Sequence, residues 1–428
     1  MDPALHAGTE EAADVRLSQA FAAMSTNLPR DTRRNERPAR ILPVIMLSQF
    51  AGTALWFAGN AVLGDLQQQW GFGAAALGYV TSAVQAGFIS GTLVFAFFAI
   101  ADLFSPRLVF FTCSLLGALC NAATVVLADG VASLVSLRFC TGFFLAGIYP
   151  VGMKIAAGWF ERDLGNALGF LVGALVVGTA FPHLVRGLGQ ALPWEAVMLG
   201  VSGIAVAGGT LMLALVPDGP FLKKAARFDA KAFAAIFRSA EFRASSFGYF
   251  GHMWELYAFW AFVPVALAAH LAQAAGASIN VALWSFAVIA AGALGCVGGG
   301  LLSLRAGSSR VAFAQLACSG LCCIVSPLAF FAPTPVFLAF LLFWGVVVVG
   351  DSPQFSALNA RYAPPALVGS ALTIANCIGF AITIPAIQLL SIAAQPLGAP
   401  YLFVLLAPGP AFGLLALRPL LRPAGRIC

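Results

Sequence analysis

Residues Gly248 to Pro264 read GYFGHMWELYAFWAFVP, an apolar and aromatic run interrupted by His252 and Glu255. With Phe247 before it and Val265 to Leu267 after it, the run is long enough to cross a bilayer, which takes roughly 20 mostly apolar residues. An ionisable group at mid-membrane costs roughly 2.5–3.5 kcal/mol on insertion scales, so such side chains face a bundle interior or a watery cavity and mark a solute path. Three residues apart on one helix, His252 and Glu255 are within reach of each other. The chemistry expected of them is contact with a solute and exchange of a proton, since a carboxyl group and an imidazole both respond to changes in their surroundings. The plainer alternatives are a fixed structural pair for Glu255 and a neutral, hydrogen-bonded core role for His252.

The composition as a whole asks for a bilayer. Of 428 residues, 60% are hydrophobic and 9% charged, more apolar surface than a soluble core can bury. The net charge of +6 would suggest nucleic acid or an acidic partner in a soluble protein. Here the cations fall in short loops, where they set topology, so nucleic acid is discounted and the lipid bilayer is the partner. Cys113, Cys120, Cys140, Cys296, Cys318, Cys322, Cys323 and Cys377 lie in apolar stretches without C-x-x-C spacing, which indicates neither a metal site nor a disulfide framework. No G-x-x-x-x-G-K-[ST] loop is present to use ATP. No cofactor is expected, and with His6, His183, His252 and His270 scattered and no nucleophile motif, neither is an enzyme.

Membrane thickness divides the chain into twelve apolar spans, at roughly 41–63, 73–99, 108–128, 131–157, 166–187, 195–216, 244–268, 281–303, 311–331, 334–357, 368–389 and 398–418. Residues 1–40 are polar, hold no segment apolar enough for a cleaved signal peptide, and read as a disordered arm. An even number of spans puts both termini on one side. Six arginines from Arg16 to Arg40, six basic residues from Lys223 to Arg243, and Arg107, Arg162, Arg305, Arg310, Arg361 and Arg418 border one face, whereas Arg186 stands nearly alone near the other. By the positive-inside rule the arm, the linker at 217–243 and the tail at 419–428 are cytoplasmic, in a bacterial inner membrane. The linker splits the spans six and six, into bundles at 41–216 and 244–418.

Each half carries a charged turn at the same point, AIADLFSPRLV between spans two and three and GLLSLRAGSSRV between eight and nine. Ala101, Asp102 and Arg107, and in the second half Gly300, Leu302, Ser303, Arg305, Gly307 and Arg310, resemble the loop signature G-x-L-A-D-R-x-G-R-R of the major facilitator superfamily of secondary transporters. Phe98 and Ser105 replace two of its glycines, and Leu304 replaces the second acid. Arg138-Phe-Cys-Thr-Gly142 is similar to the R-x-x-x-G signature of the family's fourth span. The resemblance covers residues 41–418. It implies an all-α membrane protein with twelve transmembrane helices in two pseudo-symmetric six-helix bundles, working as a monomer, with a substrate site near the midplane. It also implies a gating role for Asp102, Arg107, Arg305, Gly307 and Arg310, with Asp102 and Arg107 as a conformational latch.

In that family spans one, four, seven and ten line the cavity. Span one offers Gln49, Thr53, Trp56 and Asn60, spaced as one helical stripe. Span four offers Arg138 and Tyr149, with a kink expected at Pro150. Lys154 is about 24 Å further along an ideal helix than Arg138 and nearly opposite it, so it is expected to snorkel toward the surface. Span seven offers His252 and Glu255, and span ten Asp351 and Gln354. These nine, Lys154 and Thr53 aside, are the expected substrate contacts, with Glu255 and His252 coupling protons.

The function expected is secondary transport of a small solute by alternating access, driven by protons. The planar fork of Arg138 suits a carboxylate or similar anion, which favours a small organic or inorganic anion. Efflux of cationic or amphiphilic compounds is the alternative, with Glu255 exchanging proton for substrate. A membrane sensor that moves no solute is a lesser one.

Overall fold

A computed structural model describes residues 38–421 apart from 74, 161–163, 190–191, 223–228, 230–231 and 275–277. Most of the expected arm, the last seven residues of the tail and much of the linker thus lie outside the described residues. Among those described, eleven helices are long and apolar enough to cross a membrane, from Ala76–Phe97 to Ala399–Leu421. The remaining span, the first, is broken. Together they form the two six-helix bundles expected.

Span one begins as Ile41–Thr53 and resumes as Ala58–Ala61 and Leu63–Trp70. At the break the hydroxyl of Thr53 bonds back to the carbonyl of Gln49 at 2.8 Å, a competitor to the helix ladder that bends helices. The predicted stripe from Gln49 to Asn60 is therefore not one helical face. Span four breaks between Val131–Leu145 and Tyr149–Trp159, because Pro150 has no N–H to continue the ladder. Span ten breaks at Asp351, between Thr334–Gly350 and Ser352–Tyr362, with Pro353 in the new first turn. Span seven, Ala240–Gln273, runs unbroken through 34 residues.

Bare backbones let the helices cross closely. A side chain at Gly142 of span four would fall on the carbonyl of Val84 in span two, Ala76–Phe97, and one at Gly295 of span eight, Val281–Ala306, on that of Val346 in span ten. This is the small-residue packing that membrane helices use. Span five, Leu164–Leu188, lies along span eight, and span two along span eleven, Val368–Leu397, joining the two halves.

Candidate functional site

A cavity of about 660 Å³ lies between the halves and opens at the end that carries the linker. Tyr149, Lys154, Tyr249, Gln354, Asn359 and Asn376 supply much of its polar lining. Tyr249 donates its hydroxyl to Asn376 at 3.0 Å, bridging spans seven and eleven. Of the described residues that line the cavity, Lys154 alone has a charged side chain. Its ammonium donates to the Asp102 carboxylate at 2.5 Å and to the Ala101 carbonyl at 2.7 Å.

The other end is shut. Trp56 packs on Phe380 at 5.6 Å, on Tyr257 at 5.6 Å and on Phe88 at 4.9 Å, so spans one, two, seven and eleven share one aromatic layer. Beyond it Gln388 donates to Ser82 at 2.9 Å and Asn280 to the Gly187 carbonyl at 2.9 Å, each bond crossing from one half to the other.

The predicted contacts divide sharply. Tyr149 and Gln354 line the cavity. Trp56 belongs to the closing layer, with its indole N–H on Gln85 at 3.2 Å, and Asn60 bonds Thr81 at 2.7 Å. Gln49 is buried against Gly152, and neither amide atom has a partner among the described residues. Arg138 is fully buried away from the cavity. Its Nη2 donates to the carbonyls of Leu55 and Trp56, each at 2.7 Å, and Nη1 to Asn121 at 2.7 Å. The break in span one frees those carbonyls, and the guanidinium satisfies them.

His252 and Glu255 do not bond each other. Glu255 accepts from the Trp344 indole at 2.8 Å, from Ser319 at 2.9 Å and from the Cys323 thiol at 3.4 Å, wholly inside the second half. His252 instead meets Asp351, Nδ1 to Oδ1 at 2.9 Å, with both side chains buried. The distance is that of an ion pair. Tyr249, which lines the cavity, and Phe355 lie beside the imidazole with ring centroids at 6.1 and 5.7 Å.

The predicted gating residues also part company. Arg107 reaches Asp218 at 3.9 Å, and Asp218 accepts from Ser105 at 2.9 Å. Asp102 holds Lys154, which corrects the expectation that Lys154 simply snorkels. Arg305 and Arg310 are exposed with no ion-pair partner among the described residues, and Gly307 turns the chain between spans eight and nine at φ +85°. Spacing missed Thr92, Asn359, Thr373 and Asn376 altogether. Thr92 and Asn376 sit on spans two and eleven, outside the four spans searched, whereas Tyr249, on a searched span one turn before His252, was missed as well.

Two bundles around one cavity, open at one end and sealed at the other, are the architecture of a secondary transporter. The chain belongs to the Major Facilitator Superfamily, whose family model matches residues 45–387. It is 33% identical over 81 residues to the D-galactonate transporter of Escherichia coli O6:H1, a match covering 18% of this chain and only 19% of that relative. Among solved structures it is similar to the nucleoside transporter NupG, with a TM-score of 0.68 at 15% identity over 89% of this chain and 100% of that one. The E. coli fucose:proton symporter FucP gives 0.63 at 16% identity over 89% of this chain and 99% of that one. At such identities the likeness is one of fold.

Proposed function

We propose that this membrane transporter carries a small organic anion with one carboxylate and a hydroxylated body. One observation carries the reading: among the described residues that line the cavity, the one with a charged side chain is the cation Lys154, amid tyrosine hydroxyls and amides. An ammonium is a compact point charge for a carboxylate, and the amides and hydroxyls both donate and accept toward a polyol. The partial match to a D-galactonate transporter supports the same class. Export of cationic or amphiphilic compounds is less well supported, because Glu255 and Asp351 lie outside the cavity lining. In this reading the protein is a monomer, its linker end faces the cytoplasm of a bacterial cell, and the cavity is inward-open. Bundles at 41–216 and 244–418 rock about the central site, so that the aromatic layer parts when the linker end closes. Buried Glu255, His252 and Asp351 carry the coupled proton in the second half, away from the substrate.

The test is thermal stability of the purified protein with D-galactonate, inorganic phosphate, neutral sugars and lipophilic cations. A ligand at 100 times its Kd stabilises the folded state by about 2.7 kcal/mol. D-galactonate is expected to raise Tm in the native protein and not in Lys154→Ala. Stabilisation by lipophilic cations that survives Lys154→Ala would transfer the assignment to efflux.

A further inference from the structure

Lys154 is already occupied. Its ammonium has three donors, and Asp102 and the Ala101 carbonyl take two of them. It also stands between two spaces: the large cavity, and a side chamber of about 170 Å³ that runs to Asp102 and the start of span eleven. The pair is only partly exposed, its side chains at 21% and 18%, so water screens the ammonium less than it would at an open surface.

Building on the anion reading, we propose that Asp102 is a resident counter-ion which the transported carboxylate displaces from Lys154, so that loading the cavity unlatches the connection between spans two and three. A second carboxylate on the same ammonium brings two like charges within a few ångströms in a place where water screens them poorly. One of them must withdraw. Asp102 is the mobile one, because it rides on the four-residue helix Ile100–Leu103, which hangs from Ala99. Ala99 sits at φ +50°, the one residue other than glycine with positive φ among the described residues. That left-handed backbone is strained for a side chain larger than hydrogen and persists where surrounding contacts hold it. The Lys154 bonds to Ala101 and Asp102, two and three residues on, are such contacts. Releasing them lets the segment relax, and the side chamber, which Ala99 and Ala101 also line, is where it moves. Lys154 thereby reports cavity occupancy to the loop.

The experiment measures D-galactonate affinity by calorimetry, and transport in proteoliposomes, for the full chain and three variants. Asp102→Asn is expected to bind at least three-fold tighter while net transport falls, since the competitor is gone but the latch no longer works. Lys154→Gln is expected to bind at least ten-fold more weakly, and adding Asp102→Asn to it should change affinity no further. Affinity in Asp102→Asn equal to or weaker than native, with Lys154→Gln still ten-fold weaker, overturns the exchange while leaving Lys154 as the anion's anchor. Native affinity in Lys154→Gln, or no binding by the native protein, overturns the anion reading itself. A second measurement keeps the ion pair intact. Alkylation of an Ala101→Cys variant, followed by mass spectrometry of that peptide, should quicken at least two-fold when D-galactonate is added, and an unchanged rate refutes the exchange.

Discussion

Arg138 of span four donates from Nη2 to the carbonyl of Trp56 at 2.7 Å, and so closes the gap that the break in span one opens. The same nitrogen serves Leu55, and Nη1 ties in Asn121, which itself bonds the Met198 carbonyl at 3.0 Å and Ser202 at 3.0 Å. Spans one, three, four and six are thus stitched through one side chain. Arg138→Ala leaves three buried acceptors unmet, each costing about 1–3 kcal/mol, and is expected to lower stability in denaturant titrations by about 3 kcal/mol or more. Arg138→Lys recovers only part, because an ammonium lacks the planar fork. Unchanged stability with lost anion binding would restore Arg138 to the substrate.

The His252–Asp351 pair makes a different prediction. Replacing either partner alone leaves the other buried and uncompensated, a loss of about 3–5 kcal/mol. Replacing both, as His252→Phe with Asp351→Leu, is expected to recover most of that stability. Proton-driven accumulation should stay lost in all three variants, while counterflow exchange at equal pH persists in the stable double variant. If the double variant still accumulates substrate against a gradient, the pair is structural and the proton travels elsewhere.

At the sealed end, the bond from Gln388 to Ser82 spans the two halves. Cysteines at both positions, joined by a short bifunctional reagent, are expected to abolish transport yet leave binding from the open end within about two-fold of native. Transport that continues through the cross-link would mean that this end need not part.

Gly142 meets the Val84 backbone with no room for a side chain. Gly142→Val is expected to cost about 1–3 kcal/mol by overpacking and to push spans two and four apart, read as a lower Tm without ligand. The same change at Gly200, where a Cβ would meet nothing within 4 Å, should leave Tm nearly unchanged.

The fold was legible because membrane thickness is a blunt ruler: a run such as Thr334–Gly350 cannot be mistaken for a soluble element. The site was less so. Helical spacing put Trp56 and Asn60 beneath Gln49 on the assumption of an unbroken helix, but Thr53 and Arg138 make a break there that no periodicity records. Spacing also paired His252 with Glu255, three residues away, when partners on other helices outcompeted that contact. Lys154 looked like a surface cation since the sequence does not say that Asp102 waits within bonding distance. Tyr149 and Gln354 were legible because each is the polar residue just past a proline-marked break.

The interrupted first span bears on how the protein is made. Ile41–Thr53 has 13 residues, about 20 Å of helix against a hydrocarbon layer of about 30 Å. It emerges from the ribosome with two carbonyls exposed whose donor, Arg138, is encoded 82 residues after Trp56. At about 5–20 residues per second that donor arrives on the order of 4–16 s later. Until then the nascent segment must lean on water, the insertion machinery or a chaperone, and chains halted before Arg138 should be the ones quality control destroys.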